Sequence, residues 1–139
     1  VQRTPPFIHM NEPVPREFPP VKRGRMPVQP DGPLVMVGHG GDEKMLGLYG
    51  FRRINQKRVV RLSADRERIF LDPPQRPRYE DDGGGPCLLE MPSQGAVLVG
   101  ISNRGLGGES ACVSTEPHED WLRKEIREAA GMARSTGPP

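Results

Sequence analysis

The chain has 139 residues, with 20 Lys and Arg against 18 Asp and Glu, for a formal net charge of +2. Glycine and proline contribute 17 residues each, while hydrophobic residues reach 34% and aromatics 5%. This excludes a helical bundle or coiled coil, whose interiors tolerate neither Gly nor Pro in quantity, and leaves a disordered chain or a turn-dense β protein.

Residues 1–33 hold nine of the 17 prolines. Spacing that dense forbids helix and any central strand, so an extended connector is expected. Phe7, Ile8, Met10, Phe18 and Val21 could pin it onto a neighbouring surface. The same prolines interrupt the apolar stretch that a signal peptide needs. From residue 34 the pattern changes to short apolar or alternating runs. These are LVMVG (34–38), MLGLYGFRR (45–53), KRVVRLS (57–63), RIFLD (68–72), CLLEM (87–91), GAVLVGISN (95–103) and SACVST (110–115). INQ at 54–56 reads as a turn, and Pro73, Pro74 and Pro92 end runs. Seven short β-like segments with no helix between them predict an antiparallel barrel or sandwich. Their Val, Ile and Leu clusters supply the apolar surface that a disordered chain lacks.

The last segment changes period. Leu122, Ile126, Ala129 and Ala133 fall on one face of a helix, flanked by Trp121. Thr115 before Glu116 and Pro117 has the character of a helix start. The domain reading is therefore a connector at 1–33, a β body with a terminal helix at 34–134, and a tail at 135–139.

Several function classes are disfavoured at this point. No run of ~18 apolar residues exists to form a membrane-spanning helix. A near-balanced charge speaks against a dedicated nucleic-acid binder. Arg52, Arg53, Lys57, Arg58 and Arg61 alternate with apolar residues, as a solvated strand face does. Asp81 and Asp82 are adjacent carboxylates without further ligands, which is too little for a metal site, and no motif asks for a cofactor. His9, His39 and His118 suit turn or capping roles. Cys87 and Cys112 lack metal-ligand spacing. A bridge between them would have to cross the 95–103 strand, with a Cα separation beyond ~7 Å as the risk. Two reduced, core-packed cysteines are expected, which favours a cytoplasmic setting over a secreted one.

The conspicuous segment is Tyr79-Glu80-Asp81-Asp82-Gly83-Gly84-Gly85-Pro86. Alone it reads as a hairpin loop, in which Asp and Gly supply tight turns. In context, the order of a loop, the strand CLLE, the strand ending VGISNRG, the strand ACVST and a Trp-bearing helix resembles the C-terminal half of trypsin-like serine proteases. The family's nucleophile motif Gly-Asp-Ser-Gly-Gly-Pro lies over Asp81 to Pro86 with four identities in six, at Asp82, Gly84, Gly85 and Pro86. LVMVGHG at 34–40 is similar to the strand and turn that open the second barrel in that family. LVGISNRG at 98–105 is similar to its substrate-pairing strand, and Asp120-Trp121-Leu122 to the start of its terminal helix. The resemblance covers roughly residues 34–128. It implies an all-β fold, a six- to seven-stranded antiparallel Greek-key barrel with a C-terminal α-helix.

The departures from the family matter more than the matches. The serine position is Gly83, so there is no Oγ to attack a carbonyl. Asp81 and Gly83 occupy the oxyanion-hole backbone positions, and the Asp81 charge opposes a developing oxyanion. The motifs that carry the family's histidine and aspartate are missing from this chain. Carried over by resemblance, Pro77 is the pocket-base position. Ser102, Asn103, Arg104 and Gly105 form the substrate-facing edge. Asp82 is either an acceptor for a new N-terminal ammonium or a cap on its own loop. The expectation is a protease-homologue lobe, catalytically inactive as written, that binds protein or peptide and pairs with an N-terminal barrel of the same protein present as a separate chain or domain. The alternative is the C-terminal part of an active endopeptidase whose serine was replaced and whose His and Asp lie in that other chain.

Overall fold

The computed structural model of the chain describes residues 8–25, 28–39, 41–42, 52–73, 79–80, 83–104 and 109–135. It divides into two units, Val21–Asp120 and, separately, Val1–Pro20 with Trp121–Pro139.

Within Val21–Asp120 the strands are β1 (Lys22–Arg23), β2 (Pro33–Gly38), β3 (Gly41–Asp42), β4 (Arg53–Leu62), β5 (Arg68–Leu71), β6 (Tyr79–Glu80), β7 (Pro86–Met91), β8 (Gly95–Arg104) and β9 (Ser110–Ser114). The main sheet runs β1-β8-β7-β2-β4-β5-β9, and β8 also pairs with β9. That last pairing closes six strands into an antiparallel barrel, with β1 attached as a seventh, parallel to β8. Strands β2, β4 and β5 are consecutive neighbours, whereas β7 returns to lie beside β2. This return makes the barrel a Greek key rather than a meander. A separate two-stranded pair joins β3 to β6.

Alternation along each strand builds the interior. Leu34, Val59, Ile69, Leu71, Cys87, Val99 and Cys112 form one buried cluster, joined by Val28 from the connector. Their pairings run around the wall: Val59 faces Leu71, Ile69 faces Cys112, and Met36 faces Cys87. Each fully buried aliphatic side chain here contributes about 1.5–3 kcal/mol relative to exposure.

Several sequence expectations need correction. INQ at 54–56 is not a turn but the middle of β4, paired with β2. Sheet pairing over the full length of β2 outweighs the weak strand propensity of Asn and Gln. The 45–53 run lies mostly outside the described residues. The connector contributes β1, and it buries Val28. Its apolar side chains Ile8, Met10, Phe18 and Val21 are exposed, and Phe7 is outside the described residues. Tyr79 and Glu80, read as the start of a hairpin loop, form β6, which pairs with β3. Lys57 is not on a solvated face, because the parity of β4 turns it inward opposite Leu34, where it is buried. Its Nζ donates to the Asp72 carbonyl oxygen at 3.5 Å. Burial pulls its pKa below the ordinary lysine value, against the opposing pull of the Asp72 carboxylate.

The cysteines are not reduced: Cys87 and Cys112 are joined, with a Cα separation of 6.6 Å. The bridge crosses β8 where a glycine stands. A Cβ on Gly100 would lie 3.0 Å from Cys112 Cβ and 2.8 Å from the Val113 carbonyl oxygen. The missing side chain is what lets the two flanking strands approach, and with the bridge in place the ground for a cytoplasmic preference disappears.

At the C-terminal end a 3-10 turn, Glu116–His118, leads into the helix α1 (Glu119–Ser135). Thr115 provides no side-chain cap. Instead, the Glu116 N–H donates to Ser114 Oγ at 3.3 Å. Acidic residues in the first turn suit the positive end of the helix dipole, and arginines face them. Arg25 meets Asp120 at 2.8 Å, Arg23 meets the buried Glu119 at 3.8 Å, and Arg66 donates twice to Glu116 Oε2 at 2.9 and 3.2 Å. In the other unit, α1 carries a shallow apolar stripe: Leu122 and Ala129 are half-buried and Ile126 is exposed.

Candidate functional site

The Gly83–Gly85 loop is held against β8 by two backbone hydrogen bonds. The Gly84 N–H donates to the Ser102 carbonyl at 2.9 Å, and the Ser102 N–H donates to the Gly85 carbonyl at 2.8 Å. Pro86 then opens β7, opposite Ile101. The sequence permits this turn because Gly84 sits at φ +87°, a conformation that costs an L side chain dearly. Gly83 differs. It is exposed, it has no positive φ, and among the described residues a Cβ built on it would meet no atom within 4 Å. Glycine is therefore not demanded at position 83 by its backbone or its surroundings.

Strand β8 carries a bulge that decides which side chains face outward. Cys87 pairs with Gly100 and Leu88 with Leu98, so Val99 is the extra residue. Beyond it the parity flips. Ser102, opposite Cys112, is buried, and Asn103, opposite Ala111, is exposed. Because Ser102 spends both backbone groups on the loop, Ile101 and Asn103 are the residues that bond β9. By the same alternation, Arg104 aims its N–H and C=O away from β9, toward the edge that holds the loop.

Of the predicted site residues, the structure brings Gly83, Gly84, Gly85 and Pro86 together with Ser102 and Asn103, and it ends β8 at Arg104. Pro77, Asp81, Asp82 and Gly105 lie outside the described residues, as does the Arg104 side chain. His39 follows β2, and the His118 N–H donates to the Thr115 carbonyl in the turn before α1. Among the described residues no cluster of three or more His, Cys, Asp or Glu is placed to hold a metal ion, and no helix is long and apolar enough to cross a membrane. Sequence reasoning missed Gly100 and the bridge beside it. The available signal was a glycine between Val99 and Ile101 in the middle of an apolar strand, which often marks close backbone approach.

No family model matches the sequence, and no curated protein matches it. Among solved structures, the crystal structure of the scabies mite inactivated protease paralogue S-I1 matches with a TM-score of 0.58 at 16% identity. The match covers 79% of this chain and 53% of that one, so this chain spans about half the length of that neighbour. At such identity the likeness establishes architecture: the closed six-stranded antiparallel barrel with its added strand and C-terminal helix is a trypsin-like fold.

Proposed function

We propose that this chain is the C-terminal lobe of a trypsin-like serine protease homologue that binds an extended peptide without cleaving it. The observation that carries the reading is Gly83. It occupies the tip of a loop docked on β8, in open space and with ordinary backbone, at the position where the family motif places its serine. No side chain exists there to attack a carbonyl. The neighbouring fold is described as an inactivated protease paralogue, a description that suits this reading.

The ligand adds as a strand along the edge that the family resemblance assigns to residues 101–105, where Asn103 is exposed. By the family resemblance, Pro77 and Gly105 line the pocket and Asp82 orders the loop. The partner is an N-terminal barrel of the same protein, present as a separate domain or chain, with residues 1–33 as the connector and 34–134 as the lobe. A buried disulfide favours an oxidising compartment for this lobe.

The same open space favours one second reading. Position 83 accepts a serine without displacing any of the described residues, as it would in an endopeptidase whose nucleophile had been replaced. A serine-directed fluorophosphonate probe applied to the native complex separates the two. This chain is expected to stay unlabelled while an extended peptide still binds, and covalent labelling of this chain would establish the endopeptidase instead.

A further inference from the structure

The two cysteines sit on strands that are not neighbours. Strands β7 and β9 each pair with β8, and the bridge spans all three. Strands two places apart in a regular sheet are separated by about 9–10 Å, yet the Cα atoms of Cys87 and Cys112 are 6.6 Å apart. Two local features of β8 supply the difference. Val99 is the extra residue of the bulge, so the strand arches there. Gly100 has no Cβ where one would press on Cys112 Cβ and the Val113 carbonyl.

The consequence reaches the loop. Cys87 is the second residue of β7, immediately after Gly83–Gly85 and Pro86. Ser102, which makes both hydrogen bonds to the loop, lies two residues beyond Gly100 and opposite Cys112. The loop is thus fastened at one end through Cys87 and along its length through Ser102. The bulge that sets the parity of Ser102 belongs to the same arch that the bridge requires.

We propose that the Cys87–Cys112 bridge is a redox-operated lock on the Gly83–Gly85 loop. A dithiol reductant supplies two electrons and two protons. The S–S bond breaks, both cysteines become thiols, and the reductant becomes a disulfide. Both cysteines are fully buried, so exchange passes through a local opening of β7–β9. Once the sulfurs are separate, β7 and β9 relax toward regular spacing and the arch at Val99 and Gly100 flattens. The parity of Ser102 is lost, and the loop leaves β8. The lock acts on loop geometry and not on peptide binding, so its test needs no peptide.

Amide hydrogen exchange on the full chain, read residue by residue, provides the test. In the oxidised chain the Gly84 and Ser102 amides are expected to be protected. After dithiothreitol treatment these two should exchange at least roughly tenfold faster. The Asp31 and Val59 amides, which bond the Val59 and Gly32 carbonyls elsewhere in the barrel, should keep their rates. The double substitution Cys87→Ser/Cys112→Ser should give the same local pattern without reductant. Unchanged protection at Gly84 and Ser102, or an equal loss at all four amides from global unfolding, would overturn the lock in either experiment.

Discussion

Gly83 and Gly84 are adjacent and chemically identical, yet the fold asks different things of them. Gly84 needs its positive φ to deliver its N–H to the Ser102 carbonyl. Gly83 has neither a special φ nor a crowded Cβ position. Gly84→Ala is therefore expected to cost about 1–2 kcal/mol through left-handed strain, whereas Gly83→Ser should stay within about 0.5 kcal/mol of the parent. Denaturant midpoints of the two variants check this, and equal costs would contradict the assigned backbone roles. The motif spacing made position 83 legible from sequence. That the position is open could be seen only once the loop had been placed on β8.

The elements are tied together at their ends by short polar devices, of which the β4–β5 turn is the clearest. The Arg66 N–H closes the turn on the Ser63 carbonyl at 2.9 Å, and Asp65 accepts from Ser63 Oγ and the Glu67 N–H. Those bonds hold the Asp65 carboxyl below the usual carboxylate range, the Ser63 hydroxyl contributing most. Arg66 itself has φ +61°, and its guanidinium spans 50 residues to Glu116 before α1. An arginine in a conformation suited to glycine points to the side chain as the reason for its presence. Arg66→Ala loses the exposed ion pair, about 0.2–1 kcal/mol, and keeps the strain. Arg66→Gly loses the same pair but relieves the strain. Thermal melts at low salt should therefore rank Arg66→Gly above Arg66→Ala, and the opposite order would remove backbone strain from the account. Most strand positions could be read from alternation, because pairing and burial both follow the two-residue period. The merger of 53–62 into one strand could not, since Asn55 and Gln56 owe their conformation to β2, which is distant in sequence.

At the scale of the whole molecule, barrel closure places a lysine inside a small core. The folded-state pKa of Lys57 lies below its ordinary value of 10.5. Between those two values the unfolded chain holds a proton that the folded chain has released, so stability rises with pH through that window and is level beneath it. Lys57→Met removes the titrating group. The difference in unfolding free energy between parent and variant should thus change with pH only as 10.5 is approached from below, with the parent gaining. Urea unfolding series at several alkaline pH values measure this, and a parallel pair of curves would place Lys57 in solvent. The barrel and its terminal helix span 53% of the neighbouring fold's chain. The exposed Ile54 and Val60 on β4 leave apolar surface on the barrel exterior.

By itself the sequence determined the β-rich class, most strand positions, the terminal helix and the glycine that stands where the resembled motif has its serine. Each of these is written in local spacing: two-residue alternation, helical periodicity and a short motif. Only the tertiary structure decided that Cys87 and Cys112 bond across β8, that Lys57 turns inward, and that Ser102 holds the loop while Asn103 faces outward. The physical reason is common to all three. They depend on how a closed sheet curves and where one bulge shifts its register, and those are properties of strands meeting across the barrel rather than of any one segment.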